Sequence, residues 1–110
     1  MAYYLLSFGF APETIKNLVA KPEDRRAAAS KALEALGCKL HQYFFAFGKH
    51  DAIVIVECPD NTAATAVAML TGSTGSFSHV ETTPLITMDE AVAAMKKAGK
   101  ASASYRPPGR

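Results

Sequence analysis

Four short runs rich in aromatic and β-branched residues alternate along the chain with stretches whose apolar positions recur at helical spacing. Tyr3 to Phe10 (YYLLSFGF) predicts a first strand, closed by Ala11-Pro12. Period-two alternation puts Tyr4, Leu6, Phe8 and Phe10 on one face and Tyr3, Leu5 and Ser7 on the other. Pro12 suits the first position of a helix, where its missing N–H costs nothing, and Ile15, Leu18 and Val19 follow at helical spacing. Pro22 interrupts that helix, because a proline biases the residue before it away from the α region. From Pro22 to Leu36 strong helix formers predict a restart. Glu23 and Asp24 occupy its first turn, Ala29, Leu33 and Leu36 form the buried stripe, and Gly37 is the stop. Arg25, Arg26, Lys31 and Glu34 read as its solvated face.

Cys38 to Phe47 predicts a second strand. Strict alternation groups Lys39, His41, Tyr43, Phe45 and Phe47 on one side and Leu40, Phe44 and Ala46 on the other. The polar corner Gly48–Asp51 then leads into Ala52 to Cys58 (AIVIVEC), the most β-prone run, so a hairpin of antiparallel neighbours is expected. Pro59 ends it, and Asp60 or Asn61 can cap a helix with Ala63, Ala66, Val67 and Leu70 inward and Gly72 at its close. Phe77 to Leu85 is a more polar fourth strand, and Pro84 points to an edge or to a polar cavity. Thr87-Met88-Asp89-Glu90 spells a capping box for a last helix, with Met88, Val92 and Met95 inward and Gly99 as the stop. Residues 1–99 are read as one domain and residues 100–110 as a polar extension.

The order strand, helix, strand, strand, helix, strand, helix predicts an α+β, ferredoxin-like βαββαβ fold with an appended C-terminal helix and a four-stranded antiparallel sheet. Helices cover only one sheet face, yet the first three strands are apolar on both. An uncovered face of that kind is a large hydrophobic patch, and a second subunit is the usual remedy. About 800 Å² buried per partner makes an ordinary stable interface. Self-association as a homodimer or higher oligomer is therefore expected.

Composition sharpens this picture mainly by exclusion. A chain of 110 residues, 49% apolar or aromatic and 20% charged, is globular and has room for one core. A net charge of +2 with dispersed cations gives no reason to expect nucleic acid or an anionic membrane as partner. No apolar run reaches the ~18 to 20 residues needed to cross a bilayer, and the first residues lack the charge and cleavage pattern of a signal peptide. Cys38 and Cys58 match no metal or redox spacing and read as small apolar residues at strand ends. These features together point to a reducing cytoplasm, and bacterial origin is compatible with them.

From end to end the chain resembles the GYD-domain family, which is grouped with the dimeric α+β barrel proteins. The resemblance is carried by MAYYLLSF with a following Pro-Glu, KPEDRR, AFGKHDAIVIVECPDN, TTPLITMDEA and the closing SYRPP. Gly48 and Asp51 match the glycine and aspartate of the family's name, while His50 stands where its tyrosine is expected. The polar ring is kept, but a weak acid is exchanged for a group that titrates near neutrality. The resemblance implies a ferredoxin-like subunit and a barrel-forming dimer.

The candidate chemistry gathers near the corner. Asp51 beside His50 can orient an imidazole as a general base. Alternatively, Asp51 bonds backbone amides within the turn and His50 is solvated. His41, Tyr43 and Phe45, with His79 from the fourth strand, can line an aromatic-walled pocket or else an interface. No histidine pair has a compact metal-ligand spacing, so neither metal nor cofactor is expected. Two functions follow. One is a small-ligand-binding protein with a cavity for a hydrophobic or aromatic molecule. The other is a cofactor-independent isomerase or monooxygenase acting on an aromatic or lactone-like substrate, with His50 as base.

Overall fold

A computed structural model describes all 110 residues. Strand β1 spans Ala2–Phe10, helix α1 Pro12–Ala20, helix α2 Arg26–Ala35, strand β2 Lys39–Phe45 and strand β3 Ala52–Cys58. Helix α3 spans Asn61–Ser73, strand β4 Phe77–Leu85 and helix α4 Met88–Ala101, with a 3-10 turn at Ser102–Ser104. The sheet is antiparallel throughout in the order β2-β3-β1-β4. This is the ferredoxin-like arrangement, with β1 and β3 in the centre and the more polar strands β2 and β4 at the edges, where unpaired backbone groups are tolerated.

Alternation along the central strands decides the faces. Tyr4, Leu6, Phe8 and Phe10 of β1 and Ala52, Val54, Val56 and Cys58 of β3 are buried under the helices, together with Leu33 of α2 and Ala64 and Val67 of α3. Tyr3, Leu5, Ile53 and Ile55 point to the opposite face, which no helix covers, and are only half-buried there. Phe44 pairs with Ile53 on that open face and is exposed.

Several boundaries depart from the periodicity, each for a local reason. Helix α2 begins at Arg26 rather than Pro22, because the Asp24 carboxylate accepts the Arg26 backbone N–H at 3.0 Å. An aspartate that bonds the amide two residues on competes with the helical ladder and holds its own segment outside it. Gly37 does close the helix, at φ +76°, a conformation that costs glycine nothing. Strand β2 is shorter than Cys38–Phe47 and carries a bulge: Leu40 pairs with Val56 and Gln42 with Ile55, so His41 has no partner of its own. Asp60 caps α3 by accepting the Ala63 N–H at 2.9 Å, and Thr87 with Glu90 forms the capping box of α4.

The largest departure is α4. Its apolar stripe was expected to face inward, yet Met88, Val92 and Met95 are 73%, 43% and 64% exposed. The 3-10 turn simply continues this helix, which does not pack substantially on the sheet or on another helix. It projects as an arm, and the molecule measures 60 × 32 × 21 Å with a radius of gyration of 17.9 Å. A compact chain of this length has about 13 Å. The helix also runs past Gly99 to Ala101, because a single glycine near a helix end costs only ~1 kcal/mol and does not impose a stop.

Candidate functional site

The corner between β2 and β3 is fastened to the end of β1 by Asp51. Its N–H donates to the Phe8 carbonyl at 2.9 Å, and its own carbonyl accepts the Ala46 N–H at 2.8 Å. Its Oδ2 accepts the Phe10 N–H at 2.8 Å. Phe10 lies at the β1 irregularity after Gly9, where the ladder to β4 shifts register and leaves an amide for a side chain to satisfy. Asp51 is thus committed to backbone amides, and its carboxylate makes no hydrogen bond to His50.

His50 instead turns toward β4. Its Nδ1 lies 2.9 Å from His79 Nε2, and its Nε2 lies 3.7 Å from a Glu81 carboxylate oxygen. Period-two spacing puts His79 and Glu81 on the same face of β4, which is the open face of the sheet. The His79 ring lies directly over Gly9. A Cβ there would come within 2.5 Å of His79 Cε1, so the residue opposite must lack a side chain. Ser78 Oγ sits 3.2 Å from His79 Nδ1. One ring of the pair donates its N–H and the other accepts it, which requires at least one neutral imidazole. No three His, Cys, Asp or Glu side chains are grouped so as to hold a metal ion.

His41 occupies a different part of the open face. Strict alternation places it beside Tyr43, but the bulge turns it to the side of Gln42 and Phe44. There its Nε2 meets a Glu57 carboxylate oxygen at 2.8 Å, and its ring sits edge-on to Tyr3 at 5.4 Å. The four residues expected to line one pocket are therefore divided between two faces. His41 and His79 are on the open face, and Tyr43 and Phe45 are on the helix face.

The helix face holds a cavity of about 300 Å³. It exists because α2 packs over β2 while α3 packs over β4 and β3, leaving a groove between them whose floor is the sheet. Ala28, Ala29 and Ala32 give α2 a small-residue wall, Val67 and Leu70 face it from α3, and Leu6, Phe8, Tyr43 and Phe77 form the floor. The floor continues as an aromatic cluster. Phe8 and Phe77 meet edge-on at 4.9 Å, Phe10 stacks on Phe77 at 5.5 Å, and Tyr43 stacks on Phe45 at 6.2 Å. Offset and edge-on pairs of this kind add stabilisation beyond their buried area.

Arg25 closes one end of the cavity. Burial pushes the Tyr43 hydroxyl above its ordinary range, and the neighbouring Arg25 guanidinium pulls it partly back. Arg25 read as part of a solvated helix face, and nothing in the sequence distinguishes it, since its position depends on the gap between two helices. Phe77 was legible as the start of β4 but not as part of a cavity floor. Cys38 and Cys58 are both buried and free. Burial, reinforced by the adjacent Cys38 thiol, pushes the Cys58 thiol up to about 12, which removes it as a nucleophile at neutral pH. No helix is long and apolar enough to cross a membrane.

Comparison with curated proteins found no match. Among solved structures the chain is similar to one described as the crystal structure of FFRP-DM1, at 17% identity and a TM-score of 0.47, over 78% of this chain and 100% of that one. The sequence model of the GYD domain matches residues 4–95, from the second residue of β1's aromatic run to the middle of α4, and the chain therefore belongs to the GYD-domain family.

Proposed function

We propose that the protein is a homo-oligomeric small-ligand-binding protein whose cavity takes a hydrophobic or aromatic molecule. The observation that carries this reading is the apolar groove between α2 and α3, floored by aromatic rings. Its volume of about 300 Å³ stands at the lower end of the usual range for ligand sites, and its lining is apolar with few polar groups, as in most such sites. The neighbouring thiols of Cys38 and Cys58 remain unbridged, a state that a reducing cytoplasm maintains.

Self-association is supported by the surface the single chain leaves exposed. Its accessible area is 7899 Å², whereas a compact monomer of 11.7 kDa exposes about 5900 Å². The excess exceeds the ~800 Å² per partner of a standard interface. The apolar surface left accessible includes the open sheet face, with Tyr3, Leu5, Phe44, Ile53 and Ile55, and the stripe of α4.

Native mass spectrometry tests the assembly, with an oligomer expected; a monomer at micromolar concentration overturns it. Binding is tested by adding 2-naphthol and following backbone amide shifts. Shifts confined to residues around Leu33, Val67 and Phe77, and lost when Ala32→Phe fills the groove, are the expected result. Shifts elsewhere, or none, refute the cavity.

A second reading is favoured by one observation, the contact of His50 with His79 and its approach to Glu81. In that reading the protein is a cofactor-independent isomerase or monooxygenase acting on an aromatic or lactone-like substrate, with His50 as base and His79, rather than Asp51, as its partner. The pair lies on the open face, so a second copy has to enclose the substrate. An H50A variant with undiminished turnover of a candidate substrate eliminates it.

A further inference from the structure

A second, polar cleft of about 430 Å³ adjoins the apolar groove and shares Arg25, Thr74 and Phe77 with it. Its wall is formed by the end of α1 and the segment that joins it to α2, which contribute Asn17, Lys21 and Glu23. The charged side chains lining it are Lys21, Glu23 and Arg25. Glu23 is already paired with Arg25 at 2.8 Å, through one of the two terminal nitrogens of the guanidinium. Lys21 makes no salt bridge. The cleft therefore carries one uncompensated positive charge, that of Lys21, and Arg25, at the junction with the groove, retains donors beyond the one given to Glu23. Tyr43 brings a hydroxyl to the same end of the groove, close enough to feel the guanidinium.

We propose that the natural ligand is an amphipathic monoanion, an apolar or aromatic body bearing a carboxylate. The body lies on the Phe8, Tyr43 and Phe77 floor, and the carboxylate meets Arg25 at the mouth, with Lys21 behind it. The proposal rests on the cavity reading above and names the chemistry of its occupant. A neutral hydrocarbon would leave Lys21 without a counter-charge and the remaining donors of the Arg25 fork, which fit a carboxylate, unused. A larger, wholly polar anion would fill the cleft but leave the aromatic floor wet.

The experiment compares 2-naphthoate with 2-naphthol, which share a ring system and differ in the anion. Affinities are read from amide-shift titrations of the full chain at neutral pH. Naphthoate is expected to bind about tenfold or more tightly than naphthol, the range that a hydrogen-bonded charge pair supplies. Arg25→Gln should reduce naphthoate to the level of naphthol and leave naphthol unchanged, and Lys21→Gln should reduce it by a smaller factor at low salt. Equal affinities for the two probes overturn the anionic class and leave the cavity standing. Preference for naphthoate that survives Arg25→Gln also overturns it, since the anion is then held elsewhere. If neither probe binds in the groove, both readings fall. Unchanged thermal unfolding of the Arg25→Gln protein confirms that a lost preference is not a lost fold.

Discussion

At the scale of single residues, Asp51 and Gly9 do opposite things for the same corner. Asp51 gives its carboxylate to the Phe10 N–H, an amide in a buried residue that the irregular ladder leaves over. Asp51→Ala strands that donor, and a buried amide without a partner costs about 1–3 kcal/mol. Denaturant unfolding should show a loss in that range, and Asp51→Asn, which keeps an accepting oxygen, should lose less. A variant that unfolds at the wild-type midpoint contradicts the fastening role. Gly9 contributes by what it lacks. Gly9→Ala drives a Cβ into the His79 ring, so the ring must rotate away and its contact with His50 must open. Imidazole nitrogen shifts of His50 and His79 report this directly: coupled perturbation of both is expected, and unchanged shifts would show that the ring has room. The corner around His50 was legible in the sequence as a candidate site. Its true partner was not, because His79 is brought to it by strand pairing across 29 positions of sequence, and adjacency favours Asp51.

At the scale of elements, sequence signals were most faithful where a local chemical group sets the boundary. The β3 and β4 limits, the Asp60 cap, the Thr87–Glu90 capping box and the Gly37 stop all follow from residues within a few positions. They failed where a boundary depends on competition or on pairing. The bulge at His41 splits the expected grouping of β2, moving Leu40 to the side of Tyr43 and Phe45 and His41 to that of Gln42 and Phe44, and no composition signal marks it. The α2 start shows the competition. Asp24 holds the Arg26 backbone amide and its guanidinium, and these hydrogen bonds, the side-chain one foremost, lower its carboxyl to about 2 from an ordinary 3.8. A folded value below the unfolded one means that the contribution to stability is complete above about pH 4 and is lost as pH falls through about 2. The group is solvent-exposed, so the effect is local. The Arg26 amide resonance should titrate in that window and the first turn of α2 should fray with it, while the Leu33 amide stays protected. Titration of the Arg26 amide near the ordinary carboxylate value would mean that the bond does not persist in solution.

At the scale of the whole molecule, the arm formed by α4 leaves an apolar face open to solvent. A fourteen-residue helix that buries none of its side chains is marginal in water, since helices of this length draw most of their stability from an apolar face packed on something. Met88, Val92 and Met95 share such a face by their spacing, but the inward packing expected of them is not found, and all three are exposed. What periodicity cannot specify is which surface receives it, and here that surface is not the chain's own sheet. The polar side of the arm and the tail beyond it carry Lys96, Lys97, Lys100, Arg106 and Arg110 against Asp89 and Glu90, so the arm is basic while the remainder of the chain is close to neutral. In the proposed oligomer a second copy would supply both an apolar surface and the milder charge. Replacing Met88, Val92 and Met95 together by serine should therefore leave the sheet and the helices over it folded, since none of the three side chains belongs to the core. It should also lower the mass in solution toward that of one chain and reduce helical circular dichroism by about the share that α4 represents. Loss of oligomer with α4 still helical would mean that the arm is held by its caps and charges alone. An intact oligomer would place the contact wholly on the open sheet face, where Phe44→Ser, on the edge strand and already exposed, then becomes the variant expected to dissociate it.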